Sequence, residues 1–294
     1  MPSLKYHLAA LVLRHTRKKA FASPESFRAR IAKTRAREDH RPPAKVAARL
    51  DITQRAVGGF PVYEVKPRGR ETERRILYIH GGAFCFEMTP HHWKLVAELA
   101  ERTAAHVTVP IYPLAPEHQL PAVEAMMAEV YRDVLGQGGD VALMGDSAGG
   151  TMALALTMIA AGQGWPLASR LVLISPGIDM TLANPEVRAY AKRDPWLDIP
   201  GGLEAMRLYG GDIPAGDWRI SPLYGDLSVL PPVMAFSGTH DILYPDTVLF
   251  AERARALGRQ VDLVAGERMF HVWPLIDMPE ARPARDRMVA FLNS

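Results

Sequence analysis

Cysteine occurs once in the 294 residues, as Cys85. An internal disulfide, a Cys-x-x-Cys redox pair and a multi-cysteine zinc centre are therefore excluded. Long apolar runs are scarce too. Leu8 to Leu13, the longest near the start, is shorter than an export-signal core, and Arg14, Arg17, Lys18 and Lys19 follow it where such a signal would place its cations first. Met152 to Ala161, apolar apart from Thr157, covers about half the thickness of a bilayer and reads as a buried helix. No stable membrane insertion is expected, and the cell interior is the default compartment. The chain also lacks an HExxH motif or comparable metal spacing, an internal repeat and any low-complexity tract, so no metal site is expected.

Composition is that of an ordinary globular protein, with 48% hydrophobic and 23% charged residues and a net charge of +3. The charge is unevenly spread. Residues 1–50 hold 13 Lys/Arg against Glu25, Glu38 and Asp39, a net +10, which leaves −7 for the remainder. Such an arm can attract an acidic membrane surface or nucleic acid. No nucleic-acid motif accompanies it, however, and Phe21, Phe27 and Ile31 are spaced for amphipathic packing, so a solvated helix face without nucleic acid is expected.

From about residue 60, short β-branched runs alternate with helix-like stretches, the pattern of an α/β protein with a mostly parallel central sheet flanked by helices. Strands are expected at Val62 to Val65, Ile76 to Ile79, Val107 to Val109, Val141 to Met144, Leu171 to Ile174, Val233 to Phe236 and Val261 to Val264. The last, near the C-terminal end, would offer a dimer edge, and the oligomeric expectation is monomer or homodimer. Thr89 can cap a helix with Pro90 at its first position, placing Trp93, Val96, Leu99 and Ala100 on one face. Further helices fit Pro121 to Leu135, Ala148 to Ala161, Asp246 to Leu257 and Ala284 to Leu292. The rhythm breaks from Thr181 to about Ile220, where Gly and Pro cluster around short helical pieces. Residues 1–50 are accordingly read as an N-terminal helical cap segment and 51–294 as one catalytic domain with a cap insertion at about 181–220.

Gly145-Asp146-Ser147-Ala148-Gly149-Gly150 runs directly from a strand into a helix. A Gly-x-Ser-x-Gly in that context puts serine on a turn tight enough to strain its backbone, with its hydroxyl at a helix N-terminus. Ser147 is the candidate nucleophile. A hydroxyl needs a base to take its proton, and the base needs a carboxylate to orient it. Asp241, just past the strand Val233 to Phe236, is the better carboxylate; Asp246 competes but reads more simply as a helix N-cap. His271, after the next strand, is the better base; His240 is its main rival, and His91 and His92 point to different helix faces. The order Ser147, Asp241, His271 is that of an α/β-hydrolase arrangement. His80-Gly81-Gly82-Ala83-Phe84 follows the strand Ile76 to Ile79, and the backbone N–H groups of Gly81 and Gly82, with that of Ala148, are the candidate oxyanion hole. His80 reads as an anchor of that loop, and Cys85 as a packing residue.

These residues, with Tyr112-Pro113-Leu114-Ala115-Pro116-Glu117-His118 before Pro121-Ala122, resemble the bacterial hormone-sensitive-lipase-like (HSL) esterases of the α/β-hydrolase superfamily. The matching motifs span about residues 75–275. Family members usually read His-Gly-Gly-Gly where this chain has Ala83, and often Asp-Tyr-Arg where it has Ile111-Tyr112-Pro113. The resemblance implies an α/β-hydrolase fold with a helical cap, no cofactor, and hydrolysis of short to medium chain acyl esters, small molecules, through an acyl-enzyme. An amidase or acyltransferase with the same machinery, or a non-catalytic ligand-binding protein on the fold, is the alternative. Phe84 and Phe86 are candidate substrate-binding residues, with Trp196 and Trp218 as further lining.

Overall fold

The computed structural model describes residues 2–37, 39–70 and 72–294; Glu38, counted above in the basic arm, lies outside them. Strands β1 (Leu50–Val57), β2 (Phe60–Pro67), β3 (Arg74–Ile79), β4 (His106–Pro110), β5 (Asp140–Asp146), β6 (Arg170–Ile174), β7 (Val233–Gly238) and β8 (Val261–Gly266) form a sheet in the order β1-β2-β4-β3-β5-β6-β7-β8. The β1–β2 and β2–β4 pairs are antiparallel, and every pair from β4 across to β8 is parallel. Each strand expected from the sequence lies inside one of these, and β8 does form an edge. β1 was not expected. Only its ends, Leu50 and Val57, are buried, and the polar residues between them hide the strand pattern. Its place is set by the turn at Gly58 and Gly59, whose φ values of +56° and +86° are those of a two-residue hairpin connection.

Side chains alternate between two core layers, as strands buried on both faces require. Leu77, Ile79, Leu143, Leu171 and Leu173 face one layer with helices α5 (Leu120–Gly136), α6 (Ala148–Gly162) and α9 (Tyr244–Ala256). Ile76, Tyr78, Met144, Val172 and Ile174 face the other, with α4 (Pro90–Thr103) and α10 (Ala281–Asn293). Thr89 caps α4, its N–H donating to Nδ1 of His92 at 2.9 Å. Helix α6 is buried almost all round, which accounts for its apolar run. Asp246 is not an N-cap: α9 starts two residues earlier, so Asp246 sits inside its first turn, accepting from Nδ2 of Asn184 at 2.7 Å.

The first 50 residues form α1 (Leu4–Phe21), α2 (Pro24–Arg35) and the short α3 (Ala44–Ala47). The stretch between β6 and β7 holds α7 (Val187–Ala191) and α8 (Ile199–Gly210). Helices α1 and α2 pack on α8. Phe21, Phe27 and Ile31 are buried there, as their spacing predicts, and Lys18 pairs with Asp198 at 3.0 Å and donates to the carbonyl of Ala191 at 2.7 Å.

Candidate active site

The groups singled out on separate strand ends meet at the carboxyl edge of the parallel sheet, where open α/β sheets place their ligands. Ser147 occupies the turn between β5 and α6 with φ 50°, in the left-handed region that strains any residue bearing a Cβ. The turn is possible because α6 approaches β3 very closely: a Cβ on Gly149 would lie 2.0 Å from the carbonyl oxygen of Ile79. Asp241 follows β7 and His271 follows β8. Ser147 Oγ lies 2.9 Å from His271 Nε2, and His271 Nδ1 lies 2.8 Å from Asp241 Oδ2. The other Asp241 oxygen accepts from the N–H of Leu243 at 2.9 Å. With the carboxylate on Nδ1, that nitrogen carries the proton and Nε2 is free to accept one from serine.

Burial opposes charge on His271, but the Asp241 carboxylate, with Asp194 and Asp146 further away, outweighs it and holds the imidazole above its ordinary value. His240, the rival base, stands aside, its Nδ1 3.5 Å from the hydroxyl of Tyr6. His80 is fully buried, stacked on Tyr112 with ring centroids 4.3 Å apart and bonded through Nδ1 to the carbonyl of Gly81. Burial drives its pKa down to about 3, so it stays neutral and holds the loop.

One candidate oxyanion donor needs correction. The N–H of Gly81 donates to Asp146 Oδ1 at 3.0 Å, so it is already engaged. Gly82, at φ +133°, and Ala83, at φ 52°, instead line the pockets beside Ser147, and Ala148 lines the apolar one.

Asp146 proves to be a hub that the motif alone did not show. Its buried carboxylate accepts from the Tyr78 hydroxyl at 2.6 Å and from Gly81, and Nε2 of His92 lies at 3.3 Å. Because Thr89 donates to Nδ1 of His92, Nε2 carries that ring's proton and points it at Asp146. Burial would raise the Asp146 pKa, but His92 and these donors bring it below the ordinary value. The carboxylate thus ties the loop after β3 to the serine turn.

Asp194 was also unforeseen. It is fully buried, and its oxygens accept from the N–H groups of Trp196 at 2.7 Å, Leu197 at 3.0 Å and Ile242 at 3.0 Å. Burial, then the nearby Asp241 charge, pushes its carboxyl above the usual range.

Two cavities meet at Ser147. One is walled by apolar groups including Phe84, Met180, Leu182, Ala205, Met206 and Leu243. The other has a more polar wall with Phe86, His91, His92, Trp196, His271 and Arg17. Phe84 and Phe86 therefore lie on different sides of the serine. Phe84 is stacked on Tyr209 at 3.8 Å, and Trp196 packs edge-on to His271 at 5.7 Å. Trp218 lines neither cavity; it is half-buried against the core near Gly225.

A family profile described as alpha/beta hydrolase fold matches residues 76–275. The chain belongs to that family. An esterase of Acinetobacter venetianus is 36% identical to this α/β hydrolase over 241 residues, 79% of this chain and 78% of that one. An acetyl-hydrolase of Streptomyces hygroscopicus is 30% identical over 243 residues, 81% of each chain. In fold, the hydrolase superposes with a TM-score of 0.86 on the crystal structure of an esterase from the bacterial hormone-sensitive lipase family, at 26% identity and covering 100% of this chain and 98% of that one. The likeness to HSL-type esterases read from the motifs is thereby borne out.

Proposed function

We propose that this α/β hydrolase is a serine carboxylesterase that cleaves short to medium chain acyl esters by way of an acyl-enzyme. What carries this reading is the unbroken line from Ser147 Oγ through the His271 ring to Asp241, 2.9 Å and 2.8 Å, standing where two cavities meet. Ser147 attacks the ester carbonyl as its proton passes to Nε2 of His271. Asp241 holds the ring's tautomer and stabilises the imidazolium. The N–H groups of Gly82, Ala83 and Ala148 receive the oxyanion, each such donor being worth roughly 10²–10³ in rate. His271 then protonates the departing alkoxide, and water, activated by the same ring, releases the acid. The apolar cavity takes the acyl chain and the more polar one the alcohol. Helices α1, α2, α7 and α8 serve as the cap over a catalytic domain of residues 51–294.

The relatives named above, an esterase and an acetyl-hydrolase, support the substrate class. Labelling with a fluorophosphonate probe, followed by p-nitrophenyl esters of increasing acyl length and matched amides, tests it. The expected result is labelling of Ser147, turnover greatest on short and medium esters, and a kcat lowered by as much as ~10⁶ in Ser147→Ala with folding intact. An unlabelled native protein would point to a ligand binder, and faster cleavage of amides to an amidase. Full activity in Ser147→Ala would sink the reading altogether.

A further inference from the structure

Helix α1 has two unlike sides. Its inner side is fastened to the body: Ser3 Oγ bonds to Glu280 at 3.0 Å, the Tyr6 ring stacks on Phe270 at 5.2 Å, and Lys18 holds Asp198. Its outer side carries Leu4, Leu8, Leu11 and Val12, which are 85%, 61%, 54% and 52% exposed. Spaced i, i+4, i+7 and i+8, they fall within an arc of about 100° and form one continuous stripe. Among the described residues eight large apolar side chains are exposed, and half of them stand on this one face.

The charges that the helix itself sets around the stripe are of a single sign. Helix α1 contains no Asp or Glu. Lys5 flanks the stripe on the Val12 edge and Arg14 on the Leu11 edge, and Lys19 continues its line two turns on. All three are exposed, and among the described residues none is paired with a carboxylate. A second copy of this face would set these cations against their equals. A polyanion in water would satisfy the cations and leave the leucines wet. An anionic bilayer surface satisfies both, since leucines reach the acyl boundary while lysine and arginine stay with the phosphates.

We propose that α1 docks this protein on anionic phospholipid surfaces, lying in the interface without spanning it. No helix among the described residues is long and apolar enough to cross a membrane. The last turns of the same helix supply Arg17 and Phe21 to the cavities at Ser147 from the side opposite the stripe, so the docked helix lies between those cavities and the lipid.

Vesicle flotation of the full chain tests the idea, comparing pure phosphatidylcholine with a mixture of three parts phosphatidylcholine and one part phosphatidylglycerol. Partitioning onto the anionic vesicles is expected to exceed that onto neutral ones by about tenfold or more and to weaken at high salt. The double variant Leu8→Asp/Leu11→Asp is expected to lose about tenfold or more of that binding with an unchanged melting temperature. The triple reversal Lys5→Glu/Arg14→Glu/Lys19→Glu, which leaves every apolar contact in place, is expected to lose it as well. Wild-type protein that does not float, or a leucine variant that floats as well as wild type, overturns the proposal. So does light scattering that shows a dimer dissociated by the leucine substitutions, because the face would then belong to a second copy.

Discussion

The carboxylate of Asp194, on the loop between α7 and α8, accepts a hydrogen bond at 3.0 Å from the backbone N–H of Ile242, the residue after Asp241. The same carboxylate holds Trp196 and Leu197, which line the cavities at Ser147. One buried group therefore fixes both the loop that carries Asp241 and the loop whose Trp196 packs on His271. In Asp194→Ala two buried N–H donors, of Leu197 and Ile242, and the half-buried one of Trp196 lose their acceptor. Each orphaned donor costs about 1–3 kcal/mol, and release of a buried, repelled charge offsets only part of that. We expect a net loss of about 2 kcal/mol and, for 294 residues, a Tm lower by about 3 °C. Calorimetry checks it; an unchanged Tm would mean that the loop is held by its apolar contacts alone.

The pH dependence of kcat/KM follows from His271. In the proposed mechanism the ring takes the proton of Ser147 only while neutral, and the carboxylates around it hold its pKa above the ordinary value despite burial. Activity should therefore fall on the acid side with a midpoint above about 6.5, the value of an unperturbed histidine. Asp241→Asn removes the principal raising charge, so the midpoint moves down while kcat falls by about 10⁴ through loss of the productive tautomer. A wild-type midpoint at or below that of free histidine would contradict the electrostatics described for the site.

How much of this was legible beforehand depended on where the determinants lie. Seven strands could be read: in β3 to β7 both faces are buried, so Leu171 to Ile174 or Val233 to Phe236 are apolar throughout, whereas the more exposed β2 and β8 are marked by their valines. β1, with two buried residues in eight, gives no such signal. Ser147, Asp241 and His271 were legible because each sits just beyond a readable strand, and a parallel sheet brings such ends to one edge. The engagement of Gly81 by Asp146 was not, since it depends on how the loop after β3 folds against the serine turn. Asp194 was hidden for the same reason: its three partners are backbone groups, which carry no residue-type signature. Asp246 misled because helix α9 begins two residues before the aspartate that looked like its cap.

Asp146→Asn probes the loop tie. An amide placed with its oxygen toward Tyr78 and Gly81 keeps those two bonds but turns its NH₂ toward the protonated Nε2 of His92, donor against donor. The ring cannot change tautomer without orphaning the N–H of Thr89. We expect a kcat lower by about tenfold, roughly the 1.4 kcal/mol of one strained or lost hydrogen bond, with KM nearly unchanged. Removing the ring as well, in Asp146→Asn/His92→Ala, should cost less than the sum of the two single changes. Strict additivity of the pair would show that His92 and Asp146 act independently.

Two glycines at opposite ends of α6 separate close approach from simple helix propensity. A Cβ on Gly149 would meet the carbonyl oxygen of Ile79 at 2.0 Å and that of His80 at 2.8 Å, both backbone atoms at the end of β3 that cannot swing aside. At Gly162 nothing lies within 4 Å. Gly162→Ala should therefore be neutral or stabilising by up to about 1 kcal/mol, through the better helix propensity of alanine. Gly149→Ala carries the same propensity gain, yet it must push α6 away from β3. Relief of so deep an overlap costs about 3 kcal/mol or more, so the overlap outweighs propensity, and the displaced turn carries Ser147 out of line with His271. Denaturant unfolding and esterase assay of the two variants side by side give the comparison: Gly162→Ala as active as wild type, Gly149→Ala destabilised and at least about tenfold slower. Equal stability of the two would mean that α6 and β3 are not in the contact on which the serine turn depends.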